Sequence, residues 1–208
     1  MPQPRKTQAE IEVKLRVTDL AAAIRAIEEL GAVSHGRVFE SNTLYDTPHS
    51  DLRRRGRLLR VRSESAAPGN ARIHGSNVRR VVLTSKAPSR HRRAPRKTRR
   101  YKERAEREVV ASHSRDWRAT LARLGFQPQF HYEKYRTSFR LRGLHLDLDE
   151  TPIGTFLELE GHPAAIDQVA RTLGYTTASY IRATYWDLQA SDCRRHDRPM
   201  KNMVFPAK

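Results

Sequence analysis

A single cysteine, Cys193, in 208 residues excludes an intramolecular disulfide and fits a reducing cytosol. No apolar run approaches the ~18 residues of a membrane span, and the opening MPQPRKTQ has no apolar stretch of a secretory signal. The expectation is a cytoplasmic protein that makes no use of a membrane. Neither GxxxxGK[ST] nor GxGxxG occurs, so the usual glycine-rich phosphate loops are missing. CxxC and HExxH zinc patterns are absent, and the nine histidines are scattered. No GxSxG elbow supports a serine hydrolase. Aromatic residues, 7% of the chain, are too sparse for the stacking platform of an RNA-recognition module.

Charge is what the chain has in excess, a formal +17. That excess implies an anionic partner: polyphosphate, nucleotide or nucleic acid. Much of it sits in RHRRAPRKTRRYKERAER, Arg90 to Arg107, which holds one proline, Pro95, and almost no apolar residue. A loop over about 87–104 is expected there, mobile and solvated, with Arg90 to Lys102 outside the catalytic set and available to polyanions. A second basic segment, 191–208, reads as a tail of the same kind following one domain over 1–190. Nothing in the sequence fixes an oligomeric state.

Three times the chain writes Glu-x-Glu on a strand pattern, followed by a helix pattern that ends in Leu-Gly. The pairs are Glu10 and Glu12, Glu106 and Glu108, and Glu158 and Glu160; the ends are Leu30-Gly31, Leu124-Gly125 and Leu173-Gly174. Residues i and i+2 of a strand share a face, so each pair aims two carboxylates at one surface. Such a cluster repels itself unless metal ions or fixed basic partners neutralise it. Strands are expected near 9–17, 37–46, 57–64, 79–86 and 105–111, then over HYEKYRTSFRLR, LHLDLDE and TFLELEG. Helices are expected after Thr18 or Asp19, over 115–124, after Pro163 and over 178–189. The order fits an antiparallel α+β fold. A two-fold repeat is suggested, with Arg60 and Arg62 echoed by Lys134 and Arg136.

Most of these strands put charge on one face and Val, Leu or Ile on the other. The apolar face needs cover from the amphipathic helices. The charged faces meet if the sheet closes, which also removes edge strands. The product is a closed antiparallel barrel with a wet, charged lumen and helices outside. Its carboxylates suit Mg²⁺ or Mn²⁺ and its Lys and Arg suit phosphate oxygens. The plainer alternative is a solvated face of cross-strand salt bridges.

Here the chain resembles a known family. Glu10-Ile11-Glu12-Val13-Lys14 is similar to the ExExK signature of the CYTH superfamily, the triphosphate tunnel metalloenzymes. Asn42 to Pro48, Leu59-Arg60-Val61-Arg62, Leu83-Thr84-Ser85-Lys86, Glu106 with Glu108, Lys134-Tyr135-Arg136 and Leu148 to Glu160 resemble its later segments in order. Ser179-Tyr180 resembles its C-terminal Ser-Tyr element. The resemblance implies an eight-stranded tunnel that binds triphosphate and divalent metal. It gives Glu10, Glu12, Asp149, Glu158 and Glu160 as metal-side carboxylates. Lys14, Arg60, Arg62, Lys86, Lys134 and Arg136 become the triphosphate grip. Glu106 and Glu108 serve a second ion or orient the grip, and Lys14, Glu12 and Glu160 are the residues closest to catalysis. Members include thiamine triphosphatases, inorganic triphosphatases and class IV adenylate cyclases. The expected activity is metal-dependent hydrolysis of a triphosphate-bearing small molecule, inorganic, nucleoside or thiamine. The alternatives are conversion of ATP to cyclic AMP and pyrophosphate, and a non-enzymatic polyphosphate- or nucleic-acid-binding module.

Overall fold

The structure, a computed structural model, describes residues 8–67, 80–88, 100–111 and 117–206. Strand β1 (Gln8–Val17) is followed by helix α1 (Leu20–Glu29), β2 (Val33–Asp46), the one-turn α2 (Asp51–Arg54), β3 (Leu58–Ala66) and β4 (Arg80–Pro88). A second round begins with β5 (Lys102–Ala111) and α3 (Trp117–Arg123), then β6 (Gln127–Leu141), β7 (Leu144–Thr151) and β8 (Gly154–Glu160). α4 (Pro163–Thr172), a 3-10 turn at Thr177–Ser179 and α5 (Tyr185–Arg195) come last.

All eight strands pair antiparallel into one closed barrel, in the order β1-β5-β4-β3-β2-β6-β7-β8 and back to β1. The fold is thus the expected α+β barrel with helices outside. Exchanging β1 with β5, β2 with β6, β3 with β7 and β4 with β8 returns the same ring read backwards. The repeat is therefore a true two-fold of topology. It does not, however, pair the basic strands as expected. Arg60 and Arg62 lie on β3, whose equivalent is β7, while Lys134 and Arg136 lie on β6, whose equivalent is β2.

Alternation explains the closure. Val13, Leu15, Leu146, Leu148, Leu157 and Leu159 point outward and are buried beneath Ile27 of α1 and Ile166 and Ala170 of α4. Each such side chain contributes roughly 1.5–3 kcal/mol on burial. Asp19 starts α1 by accepting the Ala22 amide at 2.9 Å. The three Leu-Gly stops are real: Gly31, Gly125 and Gly174 have φ of +83°, +83° and +84°. That left-handed conformation is strained for a residue with a Cβ.

Four differences from the sequence reading have physical causes. The turn after β2 tightens into α2 because the Asp46 carboxylate accepts the amides of Thr47, Leu52 and Arg53 at 2.7, 2.9 and 2.9 Å. The third covering helix, α3, has only seven residues and covers little, so Val109, Val110 and Leu124 stay exposed. The last helix starts late, at a Thr184–Asp187 capping box, and runs across position 190 to Arg195. The segment after it docks rather than floats. Met203 is buried and exchanges backbone hydrogen bonds with His131 and Glu133, and the Asn202 side chain accepts the His131 amide. Of the basic loop, residues 89–99 lie outside the described residues. Of its described ends, 87–88 belong to β4 and 102–104 to β5, so the loop is shorter than expected. No helix is long and apolar enough to cross a membrane among the described residues, and Cys193 is a buried free thiol.

Candidate active site in the barrel lumen

The inward faces enclose a cavity of about 520 Å³. Ten Lys and Arg and nine Asp and Glu line it, so the lumen is nearly neutral in itself. Glu10, Glu12, Lys14, Arg60, Arg62, Lys86, Glu106, Glu108, Lys134, Arg136, Glu158 and Glu160 all line this one space. The period-two spacing of the strands brings them there.

Three ionic groups organise the lumen. The first centres on Asp149, which is fully buried beneath the wall. Lys134 Nζ lies 2.7 Å from its Oδ2, Arg136 Nε lies 2.7 Å from its Oδ1, and the Tyr185 hydroxyl donates to Oδ2 at 2.6 Å. Arg136 reaches on to Asp147 at 2.8 Å and Glu158 at 2.7 Å. Burial works against the Arg136 charge, but Asp147, Asp149, Glu40 and Glu158 outweigh it and raise its pKa.

The second group runs along β1. Lys14 Nζ is 2.9 Å from Glu158 and 3.4 Å from Glu12, and sits 5.3 Å from the centre of the Tyr185 ring. Burial opposes its charge, yet the two carboxylates raise its pKa. Lys102 of β5 ion-pairs with Glu12 from the other side. Burial also opposes ionisation of Glu12, but Lys14 and Lys102 hold its carboxyl well below the usual range.

The third group binds β3, β4 and β5. Arg62 contacts Glu40 and Glu64 at 3.1 Å and Glu108 at 3.4 Å. Arg60 donates to Thr84 Oγ1 at 3.2 Å and to the Tyr132 hydroxyl at 3.4 Å. Lys86 grips both Glu10 oxygens at 2.8 and 2.7 Å and Glu106 at 3.0 Å. Even so, burial, with Glu12 and Glu106 outweighing part of the help from Lys86, pushes Glu10 up to about 9. Glu160 rises to about 7 by burial and the nearness of Glu106 and Glu12.

Hydrophobic residues floor the lumen. Phe130, Tyr132, Phe156, Tyr185 and Met203 form a buried cluster with Trp186 against it. The start of α5 thereby supports the ionic groups from below. Its approach is fixed by a backbone pair between Ile181 and Lys14, at 3.1 and 2.9 Å. Tyr180, by contrast, donates to Asp167 at 2.9 Å, on the α4 side, and does not line the cavity.

Some of these residues escaped the sequence reading. Glu40, with 1% exposure, and fully buried Asn42 stand on the inward face of β2. Their spacing of two in FESNTLYD carried the signal. Tyr185 was hidden in a helix pattern. Lys102 was one lysine in a basic run, expected outside the catalytic set; the structure places it in the lumen, because it pairs directly across from Glu12 at the end of the β1–β5 ladder. Among the described residues, the buried side-chain amide of Asn42 on β2 and Nε of Arg60 on β3 lack hydrogen-bond partners. Asn42 Nδ2 and Arg60 Nε are thus buried donors that the described carboxylates do not take up.

A divalent ion needs oxygen ligands. Glu12 and Glu160 are cross-strand partners on β1 and β8, with Glu10 two residues along the same face. As oxygen donors Glu12 and Glu160 fit, and Glu160 has no ion pair among the described contacts, whereas Lys86 holds both Glu10 oxygens. Asp149 does not fit, since Lys134, Arg136 and Tyr185 occupy its oxygens. No group of three or more acidic or histidine side chains stands in metal-holding geometry among the described residues. Lysines and arginines hold most of the carboxylates.

Solved structures share this architecture. A candidate adenylate cyclase from Vibrio parahaemolyticus superposes with a TM-score of 0.68 at 17% identity, covering 89% of this chain and 99% of that one. The PH1819 protein of Pyrococcus horikoshii gives 0.69 at 22% identity over 88% and 99%. HpAC1 from Hippeastrum, described as having a dominant triphosphatase activity, gives 0.54 at 19% identity over 91% and 97%. These likenesses show the fold. No curated protein matches the chain significantly. The sequence matches the CYTH domain over residues 8–185, from the first strand of the barrel to the tyrosine that supports its floor. The chain belongs to the CYTH family.

Proposed function

We propose that this protein is a divalent-metal-dependent phosphohydrolase of triphosphate-bearing small molecules. One observation carries the reading: six cations from four strands, Lys14, Arg60, Arg62, Lys86, Lys134 and Arg136, surround one cavity of about 520 Å³. That volume lies within the ~300–1,000 Å³ of small-ligand sites. Arginine forks and lysine ammoniums together suit a chain of phosphates.

The grip residues are already held in place by Asp149, Glu40, Glu158 and Glu108. Binding then exchanges carboxylate contacts for phosphate contacts with little reorganisation. Because the lumen is nearly neutral, an added triphosphate brings excess negative charge. Glu12 and Glu160, with Glu10, would hold a divalent ion that offsets it. The ion supplies charge neutralisation and polarisation of a phosphoryl oxygen or water. The chain itself supplies alignment and fixed charge, the main needs of phosphoryl transfer.

A second reading is adenylate cyclase. A neighbouring pocket of about 250 Å³ favours it, sharing Leu44, Leu58, Arg104, Thr184 and Trp186 with the lumen. A base could lie there beside Trp186. The test is a panel of inorganic triphosphate, ATP and thiamine triphosphate with Mg²⁺ or Mn²⁺, with products separated chromatographically. Release of inorganic phosphate without cyclic nucleotide is expected. Cyclic AMP and pyrophosphate as main products would overturn the ranking. Undiminished binding of polyphosphate with no turnover would favour a binding module.

A further inference from the structure

We propose that Lys102 is a tethered cation that occupies Glu12 in the metal-free protein and must be displaced for a divalent ion to bind. The inference rests on the reading of Glu12 and Glu160 as the metal-side carboxylates. Glu12 has three neighbours of consequence. Lys14 contacts it at 3.4 Å but also holds Glu158 at 2.9 Å, and its side chain is only 4% exposed. Glu160 is its cross-strand partner on β8, and Lys102 is its cross-strand partner on β5. Glu12 thus sits between a carboxylate and an ammonium that both claim the same space.

Lys102 is the neighbour able to leave. Glu12 is the only carboxylate it contacts among the described ion pairs, and its side chain is 15% exposed. Both Lys102 and Arg104 line the lumen from one face of β5, so a released ammonium stays inside, beside another cation and facing the phosphate space. Its backbone is anchored. Tyr101, just before it, is buried and donates to Asp167 at 2.6 Å, and Arg100 pairs with the same carboxylate. The side chain can swing while its root stays fixed.

The exchange has a reason in charge. An ammonium neutralises one carboxylate; a divalent ion also offsets Glu160, which lacks a described partner. Lys102 keeps Glu12 from lying bare when no metal is present, and weakens metal binding in proportion.

The experiment measures Mn²⁺ uptake by the full-length protein without any substrate, using electron paramagnetic resonance of free Mn²⁺ and calorimetry. Lys102→Met and Lys102→Gln should each bind Mn²⁺ about tenfold tighter or more, the scale of one charge-assisted hydrogen bond removed as a competitor. Lys102→Arg, which keeps the charge, should bind as the wild type does. Thermal melts in EDTA establish that each variant is folded. Unchanged or weaker Mn²⁺ affinity in the folded neutral variants overturns the proposal. So does an absence of Mn²⁺ uptake by all forms. Turnover of the substrate panel is read separately. Metal-stimulated hydrolysis with unaltered affinity in Lys102→Met would remove this inference and leave the proposed function standing.

Discussion

Lys134 and Asp149 are buried against each other, 2.7 Å apart from Nζ to Oδ2, with side-chain exposures of 2% and 0%. A pair so deep cannot lose one member cheaply. Asp149→Ala strands Lys134 and Arg136, and the expected loss of stability is about 3–5 kcal/mol. Urea denaturation measures it. Asp149→Asn should leave Mn²⁺ affinity unchanged, because Asp149 orients the grip instead of binding metal. A large drop in metal affinity in Asp149→Asn would return it to the metal site.

Chelation should abolish turnover, and Mg²⁺ or Mn²⁺ should restore it. Glu12→Ala and Glu160→Ala should be inactive yet folded, since both side chains serve the lumen and not the helix-covered core. Full activity in EDTA, or in both variants, would contradict the assignment.

Removing grip cations should discriminate by phosphate number. Arg62→Ala and Lys134→Ala each delete a charged hydrogen-bonding group worth roughly 1.5–3 kcal/mol. Calorimetry should show one to two decades lost for triphosphate and less for monophosphate, by the usual conversion of about 1.4 kcal/mol per decade. Equal losses for both would mean that these side chains serve only the barrel.

Glu160 gives a pH dependence with a definite sign. Its folded-state pKa is about 7 against an ordinary 4.5. The folded protein therefore favours the protonated carboxyl, and this contribution to stability is full below pH 4.5 and lost as pH rises to 7. In metal-free buffer Glu160→Gln should gain on the order of 1 kcal/mol over wild type at pH 8, and little at pH 4.5. Denaturation midpoints at the two pH values measure the difference. An equal gain at both would disconnect Glu160 from the acidic crowding around Glu12 and Glu106.

Asp167 ties α4 to the root of β5 and to the 3-10 turn. It accepts the hydroxyls of Tyr101 and Tyr180 at 2.6 and 2.9 Å and pairs with Arg100. Asp167→Ala should cost about 1–3 kcal/mol, because it leaves the buried Tyr101 hydroxyl with a weaker partner. Triphosphate affinity should change far less than in Lys134→Ala, as read by calorimetry on the folded variant.

Much of the barrel was legible because its periods are short. The i, i+2 spacing in Glu10-Ile11-Glu12-Val13-Lys14 and Leu157-Glu158-Leu159-Glu160 fixes which side chains face inward whatever the partner strand. The Leu-Gly endings fix helix stops, because only glycine takes φ near +83° at low cost. Glu40 and Asn42 obey the same rule and were there to be read.

Local pattern determined the strands, the inward charge and the class of ligand that such charge attracts. Only the tertiary structure decided which charges meet. Ring order set β5 beside β1 and so brought Lys102 onto Glu12 from a basic run where no lysine stood out. It buried Asp149 under Lys134, Arg136 and Tyr185, which occupy both of its oxygens. It seated Tyr185 from a helix pattern, and Met203 from a tail whose basic composition suggests solvent, in one cluster under the lumen. The physical reason is range. Side-chain direction follows from neighbours in sequence, whereas ion pairing depends on strand order and register, and these are settled by closing the whole sheet.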